Sequence, residues 1–259
     1  MTDTASPDLN VRRDGHVAVL EIDRPPANHF DRALISALAD ALEGLQSDGR
    51  TRAAVLCSSG KHFCAGANFA SLPDGDDRTA ESRRLYAEAL RLFHVRIPVI
   101  AAVQGAAIGG GLGLACAADF RVATPDSVFQ ANFARLGFHQ GFGLSVTLPR
   151  IVGPQKALDL LSTARRVRGE EAAVLGLADR VVPSGTERDA ALAWAAEIAA
   201  CAPLAVRSIR ATLRSGLPEA VGQALEHEVT EQARLWETED GREGVAAGLE
   251  RREPRFTGR

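Results

Sequence analysis

Short apolar runs bounded by turn residues alternate along the first part of the chain with stretches whose apolar positions recur every three or four residues. His16–Ile22 reads as a strand, stopped by the breaker Arg24-Pro25-Pro26. Asp31 is placed to cap a helix carrying Leu34, Leu38, Ala41, Leu42 and Leu45 on one face. Arg52–Cys57 is the next strand, turned by Ser58-Ser59-Gly60, and Leu72–Asp77 is an acidic, glycine-containing loop before an amphipathic helix over Glu81–Val95. Pro98–Val103 and Phe120–Ala123 are further strands flanking a small-residue helix at Gly110–Ala117. Strands alternating with helices give the α/β class with parallel strands.

After Gly153 the pattern turns helical. Pro154–Ser162, Gly169–Gly176, Glu187–Ala200, Pro203–Arg214 and Glu219–Leu235 have helical spacing, with one short strand at Arg180–Val182. The expected organisation is therefore an α/β core over residues 1–190 and a helical section over 191–259.

One segment stands out for its chemistry. From Pro98 to Cys116 there is no charged side chain, and Gly109-Gly110-Gly111 opens a helix directly after an apolar strand. Glycines let backbone approach backbone or ligand closely, and a helix start presents free N–H groups with partial positive charge. The pair suits main-chain polarisation of an oxygen, as in an oxyanion hole. The dinucleotide alternative fails, because Gly109-Gly110-Gly111-Leu112-Gly113 lacks the GxGxxG spacing.

Composition narrows the class further. A net charge of −3 argues against a general nucleic-acid binder. No apolar run approaches the ~20 residues that cross a membrane, and the first residues carry no secretory signal. Cys57, Cys64, Cys116 and Cys201 are widely spaced without a CxxC pair, so they read as reduced thiols, a cytoplasmic location is expected, and no metal site is. GxSxG and HExxH are missing too.

Three segments in order resemble the enoyl-CoA hydratase/isomerase (crotonase) family: Arg24-Pro25 with Ala27-Asn28; Lys61-His62-Phe63-Cys64-Ala65-Gly66-Ala67-Asn68; and Pro98–Gly105 with Gly109-Gly110-Gly111 and Ala118-Asp119-Phe120-Arg121. Leu136-Gly137, Arg150–Gly153, Gly176-Leu177-Ala178 and Arg252–Phe256 extend the likeness over nearly the whole chain. The resemblance implies a spiral of β-β-α units with a C-terminal helical trimerisation region, assembled as a homotrimer or dimer of trimers. It implies an acyl-CoA thioester as ligand or substrate, with no further cofactor. The backbone N–H groups of Ala67 and Gly110 become the two oxyanion donors, and one such donor is worth roughly 3–4 kcal/mol at a transition state. Arg24, Ala27, Lys61, Ala65, Asn68, Phe133, Gln140 and Phe256 become candidate substrate-binding residues, with Arg24, Lys61 and Arg255 the cations for the CoA phosphates.

The departures matter as much. Hydratases of this family keep one glutamate at the position of Gly113 and a second at that of Phe133, and dehalogenase-type relatives keep an aspartate at that of Gly141. A general acid–base group contributes typically 10²–10⁴-fold, so conventional hydration is expected to be slow. His139, on the loop Phe138–Gly143, is the titratable candidate to replace them, while Gln130, Asn132 and Gln140 are suited to orient a water or a carbonyl. Phe129, Phe133, Phe138 and Phe142 suggest an apolar acyl pocket. The expected function is an enzyme that stabilises an enolate or oxyanion of an acyl-CoA with unusual acid–base residues. A non-catalytic acyl-CoA-binding protein and a C–C hydrolase of a cyclic diketone are the alternatives.

Overall fold

The computed structural model describes residues 6–67 and 76–259; Asn68 and Asp74 lie outside them. Six strands form the main sheet in the order β1 (Leu9–Asp14), β2 (Val17–Ile22), β3 (Ala53–Ser58), β4 (Val99–Val103), β6 (Phe120–Ala123) and β9 (Arg180–Val181). Within this sheet only β1 runs antiparallel to its neighbour; β2, β3, β4, β6 and β9 are parallel, in register from Val17↔Ala53 to Ala123↔Val181. A small second sheet holds β5 (Ala106–Ile108), β7 (Val128–Gln130) and β8 (Val167–Arg168). The pairs β4–β5 and β6–β7 each lay their first strand in the large sheet and their second in the small one. β4 and β5 are followed by α3 (Gly110–Ala117), which completes one strand–strand–helix turn.

The pleat sorts the core. Val17, Val19, Ala53, Val55, Cys57, Ile100, Ala102 and Val122 point to one face and meet Ala191, Ala195 and Ala199 of α7 (Glu187–Ala200). The alternate residues Ala18, Leu20, Ile22, Ala54, Leu56, Ala101 and Val103 face the larger core, with Leu34, Ile35, Leu38, Leu42 and Leu45 of α1 (Arg32–Ser47). Both faces are buried, as a parallel sheet requires. Asp31 caps α1 through its Leu34 N–H bond of 3.0 Å, as its position predicts.

The helical part carries α4 (Leu144–Val152), α5 (Pro154–Thr163), α6 (Gly169–Leu175), α8 (Pro203–Leu213), α9 (Leu217–Trp236) and α10 (Glu239–Glu250) beyond α2 (Asp76–Phe93). Asp119, at the start of β6, takes Arg210 at 2.9 Å and Arg214 at 2.8 Å and accepts the Val99 N–H at 2.8 Å, fastening α8 to the sheet. Among the described residues no single helix is long and apolar enough to cross a membrane.

The boundary at residue 190 falls inside α7, which packs on the core sheet. The section 191–259 also reaches the cavity described below, through α9. That section therefore supplies part of the cavity wall. The acidic loop ends earlier than the sequence pattern implies, since Asp76 and Asp77 already belong to α2.

Candidate active site

Three chain segments meet where α3 begins. The stretch Cys64–Ala67 runs beside β5: the Cys64 N–H donates to Ala106 O at 3.0 Å, and the Ile108 N–H donates back to Cys64 O at 3.0 Å. On its other side the Ala65 N–H donates to Ala27 O at 3.0 Å, and the Phe30 N–H to Gly66 O at 3.0 Å. This ladder fixes Ala67 against the helix start without using its own N–H. Among the described residues neither the Ala67 nor the Gly110 N–H has an acceptor, the latter because a first helical residue has no carbonyl before it to reach.

The glycines are there because backbone touches backbone. A Cβ at Gly111 would stand 2.1 Å from Cys64 O, one at Gly66 would stand 3.3 Å from Gly110 N, and one at Gly110 would stand 2.5 Å from Phe30 Cζ. Gly109, at φ +55°, turns the chain from strand into helix. Ala67 and Gly110 are thus brought to one place in the fold.

Both amides border a cavity of about 60 Å³. Its wall is mostly apolar: Phe30, Leu85, Phe133, Leu136, Phe138, Phe142 and Trp236. Ala65, Ala67, Gly110 and Phe133 line it; Arg24, Ala27, Lys61, His139, Gln140 and Phe256 do not. Arg24 is held by Asp31 at 2.7 Å and Asp8 at 3.1 Å. Ala27 acts behind the wall, through the carbonyl that fixes Ala65. Lys61 is exposed, on a separate surface cleft with His62, Asp126 and Glu187. Gln140 donates to Ser145 Oγ at 3.0 Å, Gln130 to Ala164 O at 2.7 Å. Phe256 is 43% exposed on the tail beyond α10.

His139 turns away from the cavity. Its Nδ1 is 2.8 Å from Gln140 O, and its ring meets His227 of α9 edge-on, with centroids 5.6 Å apart. Only its carbonyl serves the site, accepting Gln232 Nε2 at 3.1 Å.

The positions at which the resemblance implies acids are physically filled. A Cβ at Gly113 would meet Phe142 Cβ at 2.5 Å, and Phe142, at φ +60°, is fixed there beside Phe30 with centroids 5.3 Å apart. A Cβ at Gly141 would stand 1.9 Å from Tyr86 Oη. Phe133 itself is buried in the wall, its ring 6.0 Å from that of Phe138.

Tyr86 is the one ionisable side chain among the described residues lining the cavity. Its Oη lies 3.1 Å from both Oε1 and Nε2 of Gln232. Burial, and then the nearby Glu228 carboxylate, raise its pKa, so the phenol keeps its proton at neutral pH. Glu228 is fully buried and accepts the Gly143 and Ser145 N–H groups, each at 2.9 Å, at the start of α4. Burial is also what raises the Glu228 pKa, against those hydrogen bonds.

Tyr86, Gln232 and Trp236 escape a motif reading because they come from α2 and α9, far apart in sequence. One signal was available: Ser82, Leu85, Tyr86 and Ala89 share a helical face, and Tyr86 is the only tyrosine in the chain.

Residues 12–259 match the sequence family described as Enoyl-CoA hydratase/isomerase. A probable enoyl-CoA hydratase of Bacillus subtilis is 34% identical over 258 residues, covering 96% of this chain and 98% of that protein. A putative enoyl-CoA hydratase of Thermus thermophilus is 38% identical over 253 residues, covering 93% and 98%. The crystal structure of an enoyl-CoA hydratase/isomerase from Pseudoalteromonas atlantica superposes with a TM-score of 0.84 at 30% identity, covering 96% of this chain and all of the other.

Proposed function

Because the chain belongs to the enoyl-CoA hydratase/isomerase family, we propose that it is an enzyme that binds an acyl-CoA and polarises the thioester carbonyl with the N–H groups of Ala67 and Gly110. The observation that carries this reading is the pair of unengaged amides bordering an apolar cavity. As the carbonyl oxygen gains charge in an enolate or tetrahedral intermediate, both bonds shorten and strengthen, which lowers the barrier rather than merely tightening binding. The apolar wall excludes water and strengthens them further.

The chemistry proceeds without a carboxylate pair. Gly113 and Phe133 have no proton to exchange, and Phe142 fills the space beside Gly113. Direct addition of water to an enoyl thioester therefore lacks its base. Isomerisation, which moves a proton on the acyl chain, lacks one equally; cleavage of a C–C bond at the carbon next to the thioester, whose electron pair itself becomes the enolate, fits the site better. The absence of acid or imidazole from the described lining also favours a second reading, a binder of acyl-CoA that performs no reaction.

A panel of enoyl-, 3-hydroxyacyl- and 3-oxoacyl-CoA thioesters decides among these. Each is followed for binding by calorimetry and for conversion by chromatography. At least one is expected to be converted, with crotonyl-CoA hydration at least about 10³-fold slower than by a two-glutamate enzyme. Tight binding with no conversion across the panel leaves the binder reading. Binding of a cyclic diketone in place of every thioester replaces both.

A further inference from the structure

A groove of about 500 Å³ lies between the turn that follows α2 and the helix α8, a volume within the range of small-molecule sites. His94, Arg96, Arg207, Arg210 and Arg214 wall it, and Glu219 is the one carboxylate among the described residues lining it. Arg207, Arg210 and Arg214 recur at three- and four-residue spacing, so they share one face of α8 and its C-cap. The exposed Ile209 and Leu213 lie on another face. Arg207 Nη2 donates to Thr51 O at 3.4 Å just before β3, and Arg210 donates to Val95 O just before β4. The groove is therefore at the N-terminal ends of the parallel strands. Ala67 follows the C-terminal end of β3, and Gly110 follows those of β4 and β5. With β4 alone roughly 15 Å long, the groove and the cavity open at opposite edges of the sheet.

The groove carries more positive charge than the protein neutralises. Asp119 pairs with both Arg210 and Arg214, so two cations share one anion there. Arg96 and Arg207 form no ion pair among the described residues. Four guanidiniums thus stand with two carboxylates, Asp119 and Glu219, an excess of two positive charges (4 − 2) before His94 is counted. The Nε–H groups of Arg207 and Arg214 are buried without an acceptor, which costs stability until an oxygen arrives. Burial lowers the Arg214 pKa, against the pull of Asp119 and with the help of the like charge on Arg210, so an added anion would relieve it. The groove also borders the start of α9, a helix end with partial positive charge.

We propose that this groove is a second binding site, which takes the phosphate groups of a small anionic ligand, with Arg96 and Arg207 as its free cations and Arg210 and Arg214 shared with Asp119. The guanidinium fork matches phosphate oxygens two at a time and stays charged at every physiological pH. An excess of two positive charges suits a phosphate dianion, or a short polyphosphate, better than a single carboxylate. The chemistry is common to a phosphate ester and to an inorganic phosphate chain. The site stands apart from the thioester cavity and does not depend on the acyl-CoA reading.

Calorimetric titration of the full chain with pyrophosphate, ADP and citrate, repeated with butyryl-CoA in excess, tests it. Pyrophosphate or ADP is expected to bind once per chain whether or not butyryl-CoA is present. Arg96→Gln and Arg207→Gln, which leave the Asp119 pairs intact, are each expected to weaken that binding about tenfold and to leave the butyryl-CoA affinity unchanged. Tighter binding of ADP marks a phosphate ester as the occupant and tighter binding of pyrophosphate an inorganic chain; either supports the site. No binding of either phosphate overturns the proposal, as does tighter binding of citrate than of both. Binding that survives both substitutions, or that butyryl-CoA displaces, puts the anion elsewhere and overturns it too. A fall in sedimentation mass in the variants without phosphate binding to the unaltered protein shows that a second copy meets these charges, and overturns it. The unaltered protein gives a readout that needs no variant: pyrophosphate is expected to protect Arg96 and Arg207 from phenylglyoxal, read by peptide mass spectrometry, and lack of protection overturns the site. Failure of butyryl-CoA to bind bears on the acyl-CoA reading alone.

Discussion

At residue 113 there is no room for a side chain. The nearest atom is the Cβ of Phe142, which cannot swing aside because it is attached to the backbone. Restoring a glutamate by Gly113→Glu is therefore expected to lower stability by about 1–3 kcal/mol in urea unfolding, as overpacking does, without producing crotonyl-CoA hydration. The cysteines show the same control by surroundings. Burial pushes the Cys57 and Cys116 thiols up to about 11 and that of Cys64 up to about 12, while Cys201 is exposed. At pH 8 a disulfide reagent is expected to modify Cys201 rapidly and the other three only after denaturation. The sequence shows Gly113, Phe133 and Gly141 as residues without a titratable group. It could not show that Phe142 and Tyr86 occupy the space, because those contacts join residues remote along the chain.

Among the elements, those with regular apolar spacing were readable and the irregular ones were not. α3, β6 and α7 match their sequence readings residue for residue, each defined by small or apolar residues between clear stops. β5, β7 and β8 are two or three residues long, too short to show a period. α4 is masked by Pro149 within it and depends on a distant residue for its start. That residue is Glu228 of α9, whose two oxygens each accept an N–H of the α4 terminus. Glu228→Gln replaces one acceptor by a donor, and a loss of about 1–3 kcal/mol is expected in chemical unfolding. The pH dependence has a definite sign. The native pKa of Glu228 is raised, so its contribution is full below the ordinary carboxylate value and declines as pH rises through the native one. The stability margin of the unaltered protein over Glu228→Gln is expected to narrow across that window.

Several exposed apolar side chains are unexplained by the molecule's own packing, and one helix carries three of them. α8 has no buried residue, and it exposes Leu204, Ile209 and Leu213, at 79%, 61% and 73%. Apolar exposure concentrated on one helix marks an association surface. Sedimentation equilibrium is expected to give three times the 27.4 kDa chain mass, or six, and Leu204→Glu with Leu213→Glu to shift it toward the monomer. The broad plan, an α/β body followed by helices, was legible from periodicity alone. That the helical part closes the cavity was not, since nothing local in α9 announces Gln232 and Trp236 as its lining.

That last arrangement bears on when the protein becomes competent during synthesis. The amides of Ala67 and Gly110 are in place once the parallel strands have formed, but Gln232 and Trp236 emerge from the ribosome more than a hundred residues later. Until α9 docks, the cavity lacks the part of its wall that Gln232 and Trp236 supply. A complete cavity wall thus requires the chain to have been made through Trp236.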